Sequence, residues 1–92
     1  MSDEELAIFD ILTQPEPELS AEEREAVKAI AKGMLDKLKS EKLILDWRLK
    51  ERAKAAVRVT IQESLDALPA AYADDIWADK VGRTYQWVYE RY

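Results

Sequence analysis

The stretch LDWRLKERAKAAVRVTIQESLDAL, residues 45–68, contains neither Gly nor Pro. Apolar or small residues recur through it at Leu49, Ala53, Ala56, Val57, Thr60, Ile61, Ser64, Leu65 and Leu68. Spacings of three and four place these positions on one continuous helical stripe. At ~1.5 Å per residue the helix would run roughly 30 Å, the width of a small domain. One long helix with an apolar stripe cannot stand alone in water, so the other segments must cover it. Its opposite side carries Arg48, Lys50, Arg52, Lys54 and Arg58. Asp46 stands where an N-cap is needed, and Pro69 ends the run.

The covering segments read as helices too. Asp3 to Thr13 has Leu6, Phe9 and Leu12 on one face, with acidic residues in its first turn where the helix dipole favours them. Pro15 and Pro17 stop it and make residues 14–18 a stiff linker. A short helix behind such a linker is expected to pack less firmly than the rest. Ser20 and Glu23 have capping-box spacing, with Leu19 placed as the staple residue. Val27, Ile30, Ala31, Met34, Leu35 and Leu38 then form an amphipathic stripe that frays near Ser40 to Lys42. Gly33 within it either permits close helix packing or is a tolerated weak point. Leu43, Ile44 and Leu45 form an apolar corner before Asp46. After the connection 70–73, a last helix opens at Asp74 or Asp75. Its stripe is Ile76, Trp77, Val81, Thr84, Tyr85, Val88 and Tyr92, flanked by Trp87 and Tyr89.

The expected fold is therefore all-α: a small antiparallel up-down bundle of three long helices (about 20–39, 46–68 and 74–92) with a short N-terminal helix. Residues 1–18 are the short helix and Pro-containing linker, and residues 19–92 are the bundle. A chain of 92 residues makes one domain or part of one. It buries only about 60–65% of its unfolded surface.

Charge is segregated along the chain. Residues 1–25 hold nine acidic groups against one basic, a balance of −8. Residues 26–58 hold ten basic against four acidic, a balance of +6, and residues 59–92 hold three basic against six acidic, a balance of −3. The acidic front either stays solvated or lies against the basic middle. Lys50, Lys54 and Arg58 line one helix edge, and Arg48 and Arg52 the next. Such an edge suits phosphate. It reads first as a solvated face or as partners for the acidic first segment, and otherwise as a protein interface, and a pI near 4.8 weighs against an autonomous DNA binder.

Parts for catalysis are missing from the sequence. There is no His to serve as a general base or as a partner for a Ser nucleophile, and no Cys for a thiolate site. No Gly-rich phosphate loop exists; Gly33 and Gly82 both sit in helical patterns. No apolar run is long enough to span a membrane. No catalytic residue, cofactor site or metal site is expected within these residues. The aromatic set on the last helix reads first as packing, and otherwise as a partner surface. Trp47 either seals the corner between helices or anchors another protein.

Taken in order, the chain resembles the C-terminal helical region of the R (restriction and motor) subunit of type I restriction-modification enzymes. The residues that carry the likeness are ELAIFD at 5–10, Leu12-Thr13 with Pro15, the opening from Leu19 to Ala26, and above all LDWR at 45–48. Arg52-Ala53, AAVRVTI at 55–61, Leu68-Pro69 with Tyr72, Val81, Tyr85-Gln86, Val88-Tyr89 and Tyr92 follow. Trp87 stands where that family often has His, and Glu51-Arg52 where a Gln-rich pair is common. The resemblance implies a parent subunit that is an ATP-dependent DNA translocase and endonuclease of the prokaryotic cytoplasm. It would use ATP and Mg2+, and act on duplex DNA in a complex with methyltransferase (M) and specificity (S) subunits. The present residues would be a C-terminal piece that docks to that complex beside the motor domain, without catalysis of its own. The alternative function is a small helical nucleic-acid-binding module that uses the basic face of the central helix. The candidate interface residues are Trp47, Arg48, Lys50, Arg52, Lys54, Arg58, Trp87 and Tyr89.

Overall fold

The computed structural model describes all residues, Met1–Tyr92, and contains helices and turns without strands. Four helices form it: α1 (Asp3–Thr13), α2 (Ala21–Lys37), α3 (Glu51–Leu65) and α4 (Asp74–Arg91). Each packs against its neighbours in sequence, and α4 closes the ring onto α1. The expected all-α bundle is what forms. The connections after α1 and α3 meet at one end of the bundle. The long connection after α2 lies at the other, beside the last turn of α4.

Helix starts follow local chemistry. Ser20 Oγ accepts from the Glu23 N–H at 3.1 Å, while Glu23 Oε1 accepts from the Ser20 N–H at 2.9 Å. Ser2 and Glu5 make a second box of the same kind, at 3.1 and 3.3 Å. Its hydrogen bond from Ser2 holds the Glu5 pKa below the usual carboxylate value. Of the second stripe, Val27, Ala31, Met34 and Leu35 in α2 and Leu38 just beyond it are buried, and Ile30 is partly so. In α3 the buried set is Val57, Thr60, Ile61 and Leu65, and in α4 it is Lys80, Val81, Thr84 and Val88. An added Cβ at Gly33 would meet nothing within 4 Å, so close helix approach is not its role.

Two expectations are corrected. The first concerns α1, which is not loosely held. Ile8 and Leu12 are fully buried, and Phe9 lies beneath Arg24, whose guanidinium carbon is 5.2 Å from the ring centre. Its C-terminal carbonyls, left without helical donors where the chain turns extended at Gln14, are taken by other elements. The Leu12 carbonyl accepts from Tyr72 Oη at 2.7 Å. The Gln14 carbonyl accepts from Lys80 Nζ at 2.7 Å and Arg83 Nη1 at 3.1 Å. These cations complement the negative end of the α1 dipole, which has no basic residue of its own in its last turn. Lys80 is only 1% exposed. Burial, and then the nearby Arg83 charge, pull its pKa below the usual lysine value.

The second correction concerns the central rod, which does not begin at Asp46. Here α2 continues through a π-helical turn, Leu38–Lys42, and the chain then breaks. Asp46 adopts a left-handed conformation (φ 59°, ψ 28°), a region in which Asp is among the better-tolerated non-glycine residues. A 3-10 turn follows at Trp47–Leu49, and α3 starts only at Glu51. Lys50 stands at its N-cap without a side-chain capping bond. Between the two charge alternatives the structure is mixed: Lys39–Glu4 at 3.0 Å and Lys28–Glu25 at 3.2 Å join the acidic front to the basic middle, and the other acidic groups of the front make no ion pair.

Candidate functional site

The break at Asp46 creates the most distinctive surface of the molecule. The N–H groups of Trp47, Leu49 and Lys50 bond to the carbonyls of Ile44, Asp46 and Trp47 at 3.1, 2.9 and 3.2 Å. This tight winding turns the Trp47 ring inward and Leu45 and Leu49 outward. The ring is 2% exposed, while Leu45 and Leu49 are 85% and 82% exposed. Trp47 meets Tyr85 and Tyr89 edge-on, with centroids 6.4 and 5.8 Å away. Arg48 Nη1 donates to the Tyr89 carbonyl at 3.1 Å in the last turn of α4, and its guanidinium lies over the Tyr89 ring. Trp47 and Arg48 thus pin the connection to the end of α4.

A half-open groove of about 620 Å³ results, lined by residues 43–49 with Tyr89 and Tyr92. Ile44 is also exposed. Beside this apolar lining, two buried polar atoms find no acceptor or donor in the chain: Trp47 Nε1 and Tyr92 Oη. A third, Thr84 Oγ1, lies midway along α4.

Magnitudes show that the corner is finely balanced. Burying two leucines would contribute about 3–6 kcal/mol. Burying an indole of roughly 200 Å² contributes about 5 kcal/mol, and its edge-on contacts about 1–3 more. Leaving its N–H unpaired costs about 1–3 kcal/mol. The two arrangements differ by no more than a few kcal/mol, so the isolated fold gains little by turning the leucines out.

The expected interface residues do not form one surface. Trp47, Arg48 and Tyr89 meet at the groove, but Trp47 is inside the domain and does not protrude. Lys50 and Arg52 are exposed just beyond it. Lys54 and Arg58 run up the side of α3. There Lys54 pairs with Glu51 at 2.9 Å, and the Glu51 carboxylate holds the Lys54 pKa above its usual value. The Arg58 guanidinium lies 4.9 Å from the Tyr85 ring centre. The phosphate-like edge is therefore partly engaged with α4 and with its own helix. Trp87 is half-buried around the side of α4, edge-on to Tyr92 at 5.9 Å, with Arg91 over its ring.

Sequence reasoning left out Leu45 and Leu49 as surface residues and Lys80 as a buried one. The Lys80 signal was available, since it sits four residues from both Ile76 and Thr84, inside the apolar stripe. No three carboxylates converge as metal ligands would. No helix is long and apolar enough to cross a membrane.

A family model described as type I restriction enzyme HindI endonuclease subunit-like, C-terminal, matches residues 1–82. The match takes in α1, α2, the 43–50 corner and α3, and stops within α4, before Tyr89 and Tyr92. No curated protein and no solved structure matches the chain.

Proposed function

The chain belongs to the family of type I restriction enzyme HindI endonuclease subunit-like C-terminal regions, and from that premise we propose that it is an assembly element. In this reading it holds an endonuclease subunit onto the methyltransferase and specificity subunits of the same restriction system. The parent subunit supplies ATP-driven DNA translocation and strand cleavage from other residues, and none of that chemistry is asked of these helices. The observation that carries the reading is the apolar groove at the 43–50 corner. Monomeric soluble proteins seldom leave contiguous large apolar side chains in water without a use for them.

The use of the α3 basic face for duplex DNA is the rival. Arg58 against Tyr85, and Lys54 against Glu51, leave that edge with fewer free cations than its sequence spacing suggests. The test is a pull-down with an immobilised methyltransferase–specificity complex. Endonuclease subunits carrying or lacking this helical region are compared. Retention of the complete subunit and loss of the truncated one are expected. Equal retention of both overturns the reading. Salt-dependent duplex binding that disappears when Lys50, Lys54 and Arg58 are neutralised favours the rival.

A further inference from the structure

We propose that the groove between residues 43–49 and the end of α4 seats a short amphipathic segment of the partner protein, apolar where it enters and acidic along its edges. This rests on the docking reading and adds the seat and the chemistry of its occupant. The first support is the lining. Leu45 and Leu49 stand almost wholly in water beside Ile44 and Tyr89, around a recess with an aromatic floor. Covering them tips the near-balance between the inward ring and the outward leucines toward the arrangement the chain adopts.

The second support is polar. The Trp47 indole N–H and the Tyr92 hydroxyl belong to residues lining this groove and have no partner in the chain, as is true of Thr84 Oγ1 midway along α4, whereas the donors of Tyr72, Trp77 and Lys80 reach carbonyls. Both atoms are sealed from solvent in the free domain, so they mark unmet hydrogen bonding at this corner and are not points that an entering segment touches directly.

The third support is charge. Lys42 precedes the groove residues, and Lys50 and Arg52 follow them, all without an ion-pair partner. Only Glu41 and Asp46 remain unpaired on the acidic side of that stretch. In a chain of net charge −5, the segment that flanks the apolar opening in sequence thus carries a small basic excess, with Arg48 and Asp46 both in the lining itself. Such an excess favours acidic flanks over basic ones. Size settles the kind of occupant. The exposed side chains amount to a few hundred Å², in the range of functional patches. Standard interfaces need about 800 Å² from each partner. That extent suits one inserted segment, as in groove recognition of an amphipathic peptide, and falls short of a face shared with a second copy.

The test uses the whole endonuclease subunit, with the methyltransferase–specificity complex of the same system as the probe. Leu45→Asp with Leu49→Asp is expected to raise the Kd by roughly 30-fold or more, with an unchanged circular dichroism spectrum because both side chains face water. Lys50→Glu with Arg52→Glu is expected to raise it about 10-fold at low salt, with the difference shrinking as salt is added. Unchanged affinity of the leucine variant, while removal of the whole helical region abolishes assembly, overturns the groove and leaves docking elsewhere on the domain. Assembly unaffected by that removal overturns both readings. A charge-reversed subunit that binds as well as the original, or better, overturns the acidic class of occupant. Leucine substitutions that dissociate a subunit dimer without changing affinity for the complex make the occupant a second copy, against the proposal.

Discussion

The two ends of the bundle treat their buried polar groups in opposite ways. Where α1 and α3 finish, donors withdrawn from water reach carbonyls: Tyr72 reaches Leu12, Trp77 Nε1 reaches Leu65 at 3.0 Å, and Lys80 reaches Gln14. Where α4 finishes, Trp47 Nε1 and Tyr92 Oη have no partner, and leucines face solvent. Two tryptophans in one small domain make the contrast plain, one with its indole N–H bonded and one without. The first end is complete as folded. The second has the features of half an interface, an apolar opening beside unfinished hydrogen bonding.

Trp47→Ala is the largest expected blow to this contrast, because it removes the buried ring that, with Arg48, ties the unfinished end together. A loss of about 3–5 kcal/mol in unfolding free energy is expected from denaturant titration. A loss under about 1 kcal/mol would mean that the ring does not anchor the corner.

Tyr72→Phe probes the complete end and is expected to cost about 1–2 kcal/mol, since it leaves the Leu12 carbonyl without that donor. It also sharpens the comparison through pH. Desolvation pushes the Tyr72 phenol from 10.0 up to about 12. The folded chain then keeps a proton that the unfolded chain gives up. The Tyr72 contribution is therefore full below pH 10 and is lost as pH rises towards about 12. Lys80 runs the other way. Its folded pKa is lowered, so the folded chain binds fewer protons than the unfolded one just below 10.5, and its contribution rises with pH there. From this pair, melting temperature should climb towards pH 10 and fall beyond it. Tyr72→Phe should remove the fall and keep the climb; a fall that survives the substitution belongs to other groups.

The smallest effect is expected from Leu45→Ala and Leu49→Ala, each within about 0.5 kcal/mol of the unsubstituted domain by the same titration. A loss above about 1.5 kcal/mol would make these side chains part of the core, and the contrast between the two ends would collapse.

Most of the bundle was readable from spacing. The stripes of α2, α3 and α4 gave the core almost residue for residue, because a period near 3.6 survives any detail of loop geometry. The Ser20 cap was readable for the same reason. The Ser2–Glu5 box has the same spacing, with Ser2 just ahead of the acidic first turn. The break at Asp46 was not readable from Gly or Pro, for there is none near it. An uninterrupted helix would have put Trp47 in line with Lys50, Lys54 and Arg58, out in water. The inward indole is held by contacts with Tyr85 and Tyr89, some forty residues away. Local periodicity carries no information about them. The candidate site shares that fate. Arg48 and Tyr89 were picked out for their residue types, but that they meet at one groove is a tertiary fact.

Asp46, with its reversed backbone twist, has one further consequence. It separates what this domain needs in order to exist from what it shows to the outside. Trp47 must stay for the helices to close, yet the residues two places before and after it bear almost no structural duty. A change at position 45 or 49 therefore alters what the domain shows to a companion while the scaffold beneath stays as it was.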